Sequence, residues 1–512
     1  MLKKLRVSLS VVFFALITFF FLDFRAVMPD EFHWLAHLQV VPAIIGGSIG
    51  ILIFLVILTL LFGRIYCSSI CPMGIYQDIV AWISKKVAGK KKRYSYSKAK
   101  NILRWIVFAI AAISPFVGLT FVLALVDPYS AFGRMITNIF KPVYMSGNNV
   151  LESIFTSFGN YTFYKVDVVV MSVFSLIIAI ATLLAIGFFA WKHGRTYCNT
   201  ICPVGTLLGF VSKFSLFKVR IDAEKCNACG LCAMKCKASC IDSKNHAVDS
   251  SRCVDCFNCL GSCNKGALTF VPYKKKEKQV VLATESVDSN KRQFLTTAIT
   301  TAVTVPAVMA QDKINDLISD KDIPTRQTPI SPPGALSSDH LLSHCTSCHL
   351  CISRCPSRVI KPAFMDYGLG GIMQPVMTYE KGFCNYNCTV CTDVCPNRAL
   401  VKLEMEEKHM TQIGRVHFVH DICVVVTDKN NCGACAEHCP TQAVTMVPYD
   451  GGEGLTIPHI NPDICVGCGG CEFICPVRPN RAIFVEGNKV HRRREAFDVE
   501  EKEELIIDDF GF

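Results

Sequence analysis

A chain of 512 residues with 51% hydrophobic content, mean hydropathy +0.34 and net charge +11 is too apolar for an ordinary soluble protein and long enough for about three domains. Its 29 cysteines, an odd number in tight groups, exclude a disulfide framework. The positive charge calls for no nucleic acid, because basic residues beside apolar runs set membrane orientation and meet anionic lipid.

The first apolar run, Val7–Leu22, follows Lys3, Lys4 and Arg6, and no small-residue cleavage site comes after it. It reads as a retained helix rather than a signal peptide. Val40–Phe62, Trp105–Val126 and Val168–Trp191 are uncharged runs of 22 to 24 residues, enough to cross a hydrocarbon core of about 30 Å. Four helices are thus expected in a membrane module over residues 1–215. Lys85, Lys86, Lys98 and Lys100 are among the basic residues between the second and third runs, and no acid intervenes from Lys85 to Lys100. The 23–39 and 127–167 loops are nearly balanced in charge. The excess of positive charge puts the N-terminus, the 63–104 loop and the segment from Lys192 in the cytoplasm. In the outer loop, His33 and His37 lie four apart around Trp34. They are either proton acceptors that titrate near neutral pH or an interfacial anchor.

Gly63–Gly74 (GRIYCSSICPMG) and Gly194–Gly205 (GRTYCNTICPVG) match at eight of twelve positions. The membrane module therefore reads as a duplicated helical hairpin. Such copies pack about a pseudo-two-fold axis with equivalent sites at their interface. That brings Cys67, Cys71, Cys198 and Cys202 together as a seventh metal site or a reactive thiol site, the plainer alternative being buried structural cysteine. Arg64 and Arg195 either stabilise thiolates there or reach out to headgroups.

Six further runs carry four cysteines each: Cys226, Cys229, Cys232 and Cys236; Cys253, Cys256, Cys259 and Cys263; Cys345, Cys348, Cys351 and Cys355; Cys384, Cys388, Cys391 and Cys395; Cys423, Cys432, Cys435 and Cys439; Cys465, Cys468, Cys471 and Cys475. Four follow C-x2-C-x2-C-x3-C, the bacterial ferredoxin spacing, and two differ only in the first gap. Structural zinc prefers two separated knuckles, whereas crowded thiolates suit iron. Six [4Fe–4S] clusters are the expected load. In a two-cluster ferredoxin the fourth cysteine of each run crosses over. Residues 216–275 should then use Cys226, Cys229, Cys232 and Cys263 for one cluster, and Cys253, Cys256, Cys259 and Cys236 for the other. Cys240 is left buried and unligated. Cys345–His349 spells C-x-x-C-H, but Cys351 and Cys355 complete a ferredoxin run there, which argues against haem.

Residues 276–293 read as a linker. Lys291-Arg-Gln-Phe-Leu295 precedes the uncharged run at 294–310, read as a fifth membrane segment or export signal. A four-cluster domain over 311–490 and an acidic tail over 491–512 complete the chain. The fold class is therefore an α-helical membrane bundle with α+β ferredoxin-like domains.

The four helices, the paired C-x3-C-P motifs and the ferredoxin pair after them resemble NapH-type membrane ferredoxins, related to NosR-like and CcoG-like proteins. Lys291–Leu295, Pro332–Leu336, Cys345–Pro356 and Gly382–Pro396 resemble MauM/NapG-type ferredoxins, and Lys-Arg-x-Phe-Leu resembles a twin-arginine signal. These resemblances imply a fusion in the bacterial inner membrane. It would pass electrons from the quinone pool to a periplasmic reductase or cytochrome, without a terminal catalytic centre of its own. Related four-cluster subunits pair the first run with the fourth and the second with the third; sequential pairing is the open alternative. The competing enzyme reading, by resemblance to CcoG, is a thiol-based copper reductase or assembly factor.

Overall fold

Two helices, Leu2–Leu22 and Val173–His193, are long and apolar enough to cross a membrane. Each has 21 residues, about 31 Å at ~1.5 Å per residue. They belong to a computed structural model that describes residues 2–24, 27–89, 94–272, 326–452 and 454–494. The linker at 276–293, the segment at 294–310 and the tail from 495 lie outside the described residues.

The other two expected spans are broken, so the four continuous helices anticipated from the apolar runs are corrected to two. Val40–Phe62 divides at Gly46–Ser48 into helices Val40–Ile45 and Ile49–Phe62. Gly47 takes φ +65 there, which glycine adopts without steric cost. Trp105–Val126 divides into the end of Asn101–Ile113, a 3-10 turn Ser114–Val117 and helix Thr120–Val126. Pro115 has no N–H to continue the helical ladder. The segment read as the outer loop 127–167 is largely helical as well. It holds Pro128–Met135, a π-turn Ile136–Phe140 and helix Lys141–Ser157. The Asp127 side chain accepts from the Ser130 N–H at 2.8 Å with Pro128 in the first turn, a capped start. Helices Pro72–Ala88 and Pro203–Val211 each begin with the proline that follows a C-x3-C motif.

The cysteine-rich modules are small and sheet-poor. Strand Phe217–Ile221 pairs antiparallel with Leu268–Pro272, and Ile241–Asp242 with Ala247–Val248. In the C-terminal region Ile360–Pro362 pairs with Pro375–Met377, Val444–Pro448 with Thr456–Ile460, and Thr411–Phe418 with Ile483–Arg493.

The two modules dock at opposite ends of the helical bundle. At one end Leu216 N donates to Leu60 O at 2.6 Å, and Arg195 N to Lys237 O at 3.0 Å. At the other, Arg354 pairs with Asp23 just past the first helix, Arg134 donates to Ser347 O at 3.2 Å, and Phe174 packs on Phe364. Helices Leu2–Leu22 and Val173–His193 thus run antiparallel from one module to the other.

Candidate functional site

The duplicated motif does bring its four thiols together. Cys202 lies within electrostatic range of Cys198, Cys71 and Cys67, and Cys71 within range of Cys67 and Cys198. All four are at most 4% exposed. Two arginines cross between the repeats. Arg64 donates to Cys198 O at 3.1 Å and reaches Cys67 Sγ at 3.9 Å; Arg195 donates to Cys67 O at 2.7 Å and reaches Cys198 Sγ at 3.9 Å. Both are wholly buried, which corrects the headgroup alternative. The closing glycines explain themselves: a Cβ on Gly74 would lie 2.1 Å from Cys67 O, and one on Gly205 2.0 Å from Cys198 O. Gly205 N also donates to Cys202 Sγ at 3.3 Å.

The six longer runs converge as well. Cys232 neighbours Cys226 and Cys229, while Cys259 neighbours Cys256, Cys253 and the crossed-over Cys236. Cys240 is buried, with its sulfur 3.5 Å from Cys236 Sγ. In the C-terminal region Cys351 neighbours Cys348, Cys345 and Cys395, and Cys391 neighbours Cys384, Cys388 and Cys355. Cys423 neighbours Cys432 and Cys475, with Cys435 beside them. Cys471 neighbours Cys468, Cys465 and Cys439. The first run therefore pairs with the second and the third with the fourth, not first with fourth. A two-stranded hairpin lies between the partners in each pair and folds one run back on the other.

The regular runs share one backbone device. Ala228 and Gly230, Asp255 and Phe257, Ser347 and His349, and Gly467 and Gly469 all take φ between 47 and 79. Left-handed residues between right-handed ones turn successive N–H groups inward into an anion-binding hollow, a feature of iron–sulfur sites. Backbone N–H groups reach the sulfurs of Cys345, Cys395 and Cys465 at 3.3 to 3.4 Å, and such bonds tune cluster potentials. Soft thiolates in a buried N–H cradle fit a [4Fe–4S] group. Among the described residues no three His, Cys, Asp or Glu converge tightly enough for a single ion; a cube with four irons spreads its ligands wider.

The sets form a row. Cys384 N donates to Cys468 O at 2.9 Å, linking the two C-terminal pairs. Between Cys348 and the four-thiol site lies helix Pro128–Met135, every residue of it buried. Tyr129 is in electrostatic range of Cys348 and Cys395, and Tyr197 of Cys202 and Cys198. A Cβ on Gly133 would come 2.3 Å from Cys348 O, so only glycine allows that approach. This connecting helix was missed in the sequence, although Asp127-Pro128 is a recognisable helix start.

His349 cannot serve a haem in this fold. Asn138 Nδ2 donates to its Nδ1 at 3.2 Å, and its Nε2 meets Met373 O at 3.1 Å. Burial pushes it down to about 3. His33 stacks near Phe20. Burial and Arg398 hold His37 below its ordinary pKa, and its ring meets the Pro396 backbone. His37 therefore faces the C-terminal module.

A family described as a 4Fe-4S binding domain matches residues 45–91 and 171–222, where the only cysteines are those of the C-x3-C-P motifs. A 4Fe-4S dicluster domain matches 430–478. The methylamine utilization ferredoxin-type protein MauM of Methylorubrum extorquens is 32% identical over 155 residues, 28% of this chain and 67% of MauM. The ferredoxin-type protein NapF of Escherichia coli is 27% identical over 159 residues, 31% of this chain and 87% of NapF. The putative electron transport protein YccM of Escherichia coli is 25% identical over 223 residues, 43% of this chain and 55% of YccM. No solved structure matches. The chain belongs to the ferredoxin-type iron–sulfur electron-transfer proteins that include MauM.

Proposed function

We propose that this chain holds a row of seven [4Fe–4S] sites that spans a membrane, and that it takes electrons from quinol and passes them to a terminal reductase outside. The observation that supports it best is architectural. Two membrane-length helices run from one cysteine-rich module to the other, and the four thiols of the duplicated motif sit between them. Each bound cluster supplies one-electron transfer. The residues that hold them are the six crossed-over sets and Cys67, Cys71, Cys198 and Cys202. Arg64 and Arg195 place positive charge beside the middle set, and the 216–272 and 326–494 modules take the cytoplasmic and outer sides. Complete burial of the four thiols counts against the copper-reductase reading, because an incoming ion would have no path to them.

Iron and acid-labile sulfide are each expected at about 28 per chain with the middle set filled and about 24 without it. Stoichiometric zinc with little sulfide would sink the assignment. Reporters after Phe270 and Phe512 should read opposite sides. In vesicles enclosing ferricyanide, external dithionite should reduce the interior acceptor through the wild-type protein. Changing Cys67→Ser and Cys198→Ser together should slow this at least about tenfold; an unchanged rate would remove the middle set from the path.

A further inference from the structure

We propose that the cleft between helix Lys141–Ser157 and the Cys351–Pro356 loop binds the ring of the quinol. This inference rests on the relay reading above and gives its donor a place. The cleft holds about 760 Å³ free of protein atoms, its open mouth included. Four other clefts lined by cysteines hold 390 Å³ or less.

Its walls suit a flat, mostly apolar ring with two oxygens. Phe24, Met145, Met171 and Val390 supply apolar surface. Thr137 and Lys141 supply polarity from the π-turn and the start of the next helix, a local widening often found at functional sites. Thr137 is 7% exposed, and its hydroxyl is buried without a hydrogen-bond partner. A buried hydroxyl of that kind costs about 1–3 kcal/mol unless something pairs with it, and a ligand oxygen would. Lys141 donates to the carbonyl and hydroxyl of Ser353.

Arg354 is neutralised by Asp23, and Arg358 donates to the Asp167 carbonyl. Val143, Val168 and Val170, chain neighbours of the lining residues Pro142, Val169 and Met171, are exposed and offer apolar surface to an isoprenoid tail. Cys355, which neighbours Cys384, Cys388 and Cys391, lines the cleft, so one cysteine set adjoins the ring. Oxidising one quinol breaks two O–H bonds. Two protons go to water at the mouth, and the two electrons would leave one after the other through the iron–sulfur centre that Cys355 would help to hold.

The test is photoaffinity labelling of the purified holoprotein with an azidoquinone, mapped by peptide mass spectrometry. Label is expected on the peptides that carry Thr137–Met145 or Met171. Val169→Trp, which fills the mouth, should cut labelling at least about tenfold. Thr137→Val, nearly isosteric, should weaken quinone binding severalfold. Iron content and full reduction by dithionite must stay at wild-type levels in both. Label confined to the His33–His37 peptide and unchanged in Val169→Trp would overturn the cleft while leaving quinol as donor. So would a stoichiometric phospholipid in the cleft that quinone fails to displace. If a quinol analogue neither labels nor reduces the wild-type protein anywhere, the quinol part of the relay reading fails, and the cleft with it.

Discussion

The two copies of the C-x3-C-P motif share a backbone and differ in charge. In both, the arginine crosses to the other copy's cysteine carbonyl, the tyrosine hydroxyl reaches across the bundle, and the final glycine presses on a carbonyl. Eleven residues after its first cysteine, however, the first copy has Asp78 and the second has Gly209. Asp78 pairs with Arg195 at 2.7 Å, Lys237 at 3.0 Å and Arg6 at 3.1 Å, joining the first helix, the second repeat and the ferredoxin module. Gly209 leaves that space to Arg104 and the Ser251 carbonyl. Arg64 instead donates to Asn199 at 2.9 Å, Ser251 O at 3.0 Å and Cys198 O at 3.1 Å, with Asp255 in electrostatic range. The symmetric parts assemble four thiols. The asymmetric acid pairs directly with one arginine and leaves the other to an amide, two carbonyls and sulfur.

The largest expected effect tests that asymmetry. Asp78→Asn strands three buried or half-buried cations and should cost about 3–5 kcal/mol. Asn199→Ala takes one neutral partner from Arg64 and should cost about 1–3 kcal/mol. Unfolding midpoints of the anaerobic proteins compare them, and equal losses would mean that the acid has no special place. The symmetric half comes next: Gly74→Ala and Gly205→Ala should each cost about 1–3 kcal/mol by overpacking. Markedly unequal losses would break the two-fold equivalence. The smallest effect concerns Gln77, whose counterpart is Leu208. Its Nε2 donates to Cys198 Sγ at 3.1 Å and to Met73 O at 3.2 Å, while its Oε1 is buried without a partner. Gln77→Leu should therefore cost only about 1 kcal/mol, because the relieved orphan offsets much of the two lost bonds. It should still shift the reduction midpoint of the middle set, and an unshifted midpoint would show that this bond does not tune it.

The helix Pro128–Met135 shows where pattern reading failed. A segment of balanced charge between apolar runs reads as an outer loop, although its Asp-Pro start signals a helix. Composition carries no information on burial when the covering surface comes from residues more than 200 positions away, as Cys348 does here. The breaks in the second and third runs were foreshadowed by Gly46, Gly47, Pro115 and Gly118, but hydropathy averages over such residues.

The sequence by itself determined the cysteine runs, because a wrapping loop is a local object whose ligands lie within about a dozen residues. It also determined the duplication, and through it the meeting of four thiols. Only the tertiary structure decided which runs share sets, since the spacing between runs permits either pairing. Short hairpins such as Ile360–Pro362 with Pro375–Met377 settle that by folding each run onto its sequence neighbour. Tertiary structure also decided that Arg64 and Arg195 point inward and that a hollow forms beside Cys355. Both depend on surfaces that come together only when distant segments pack.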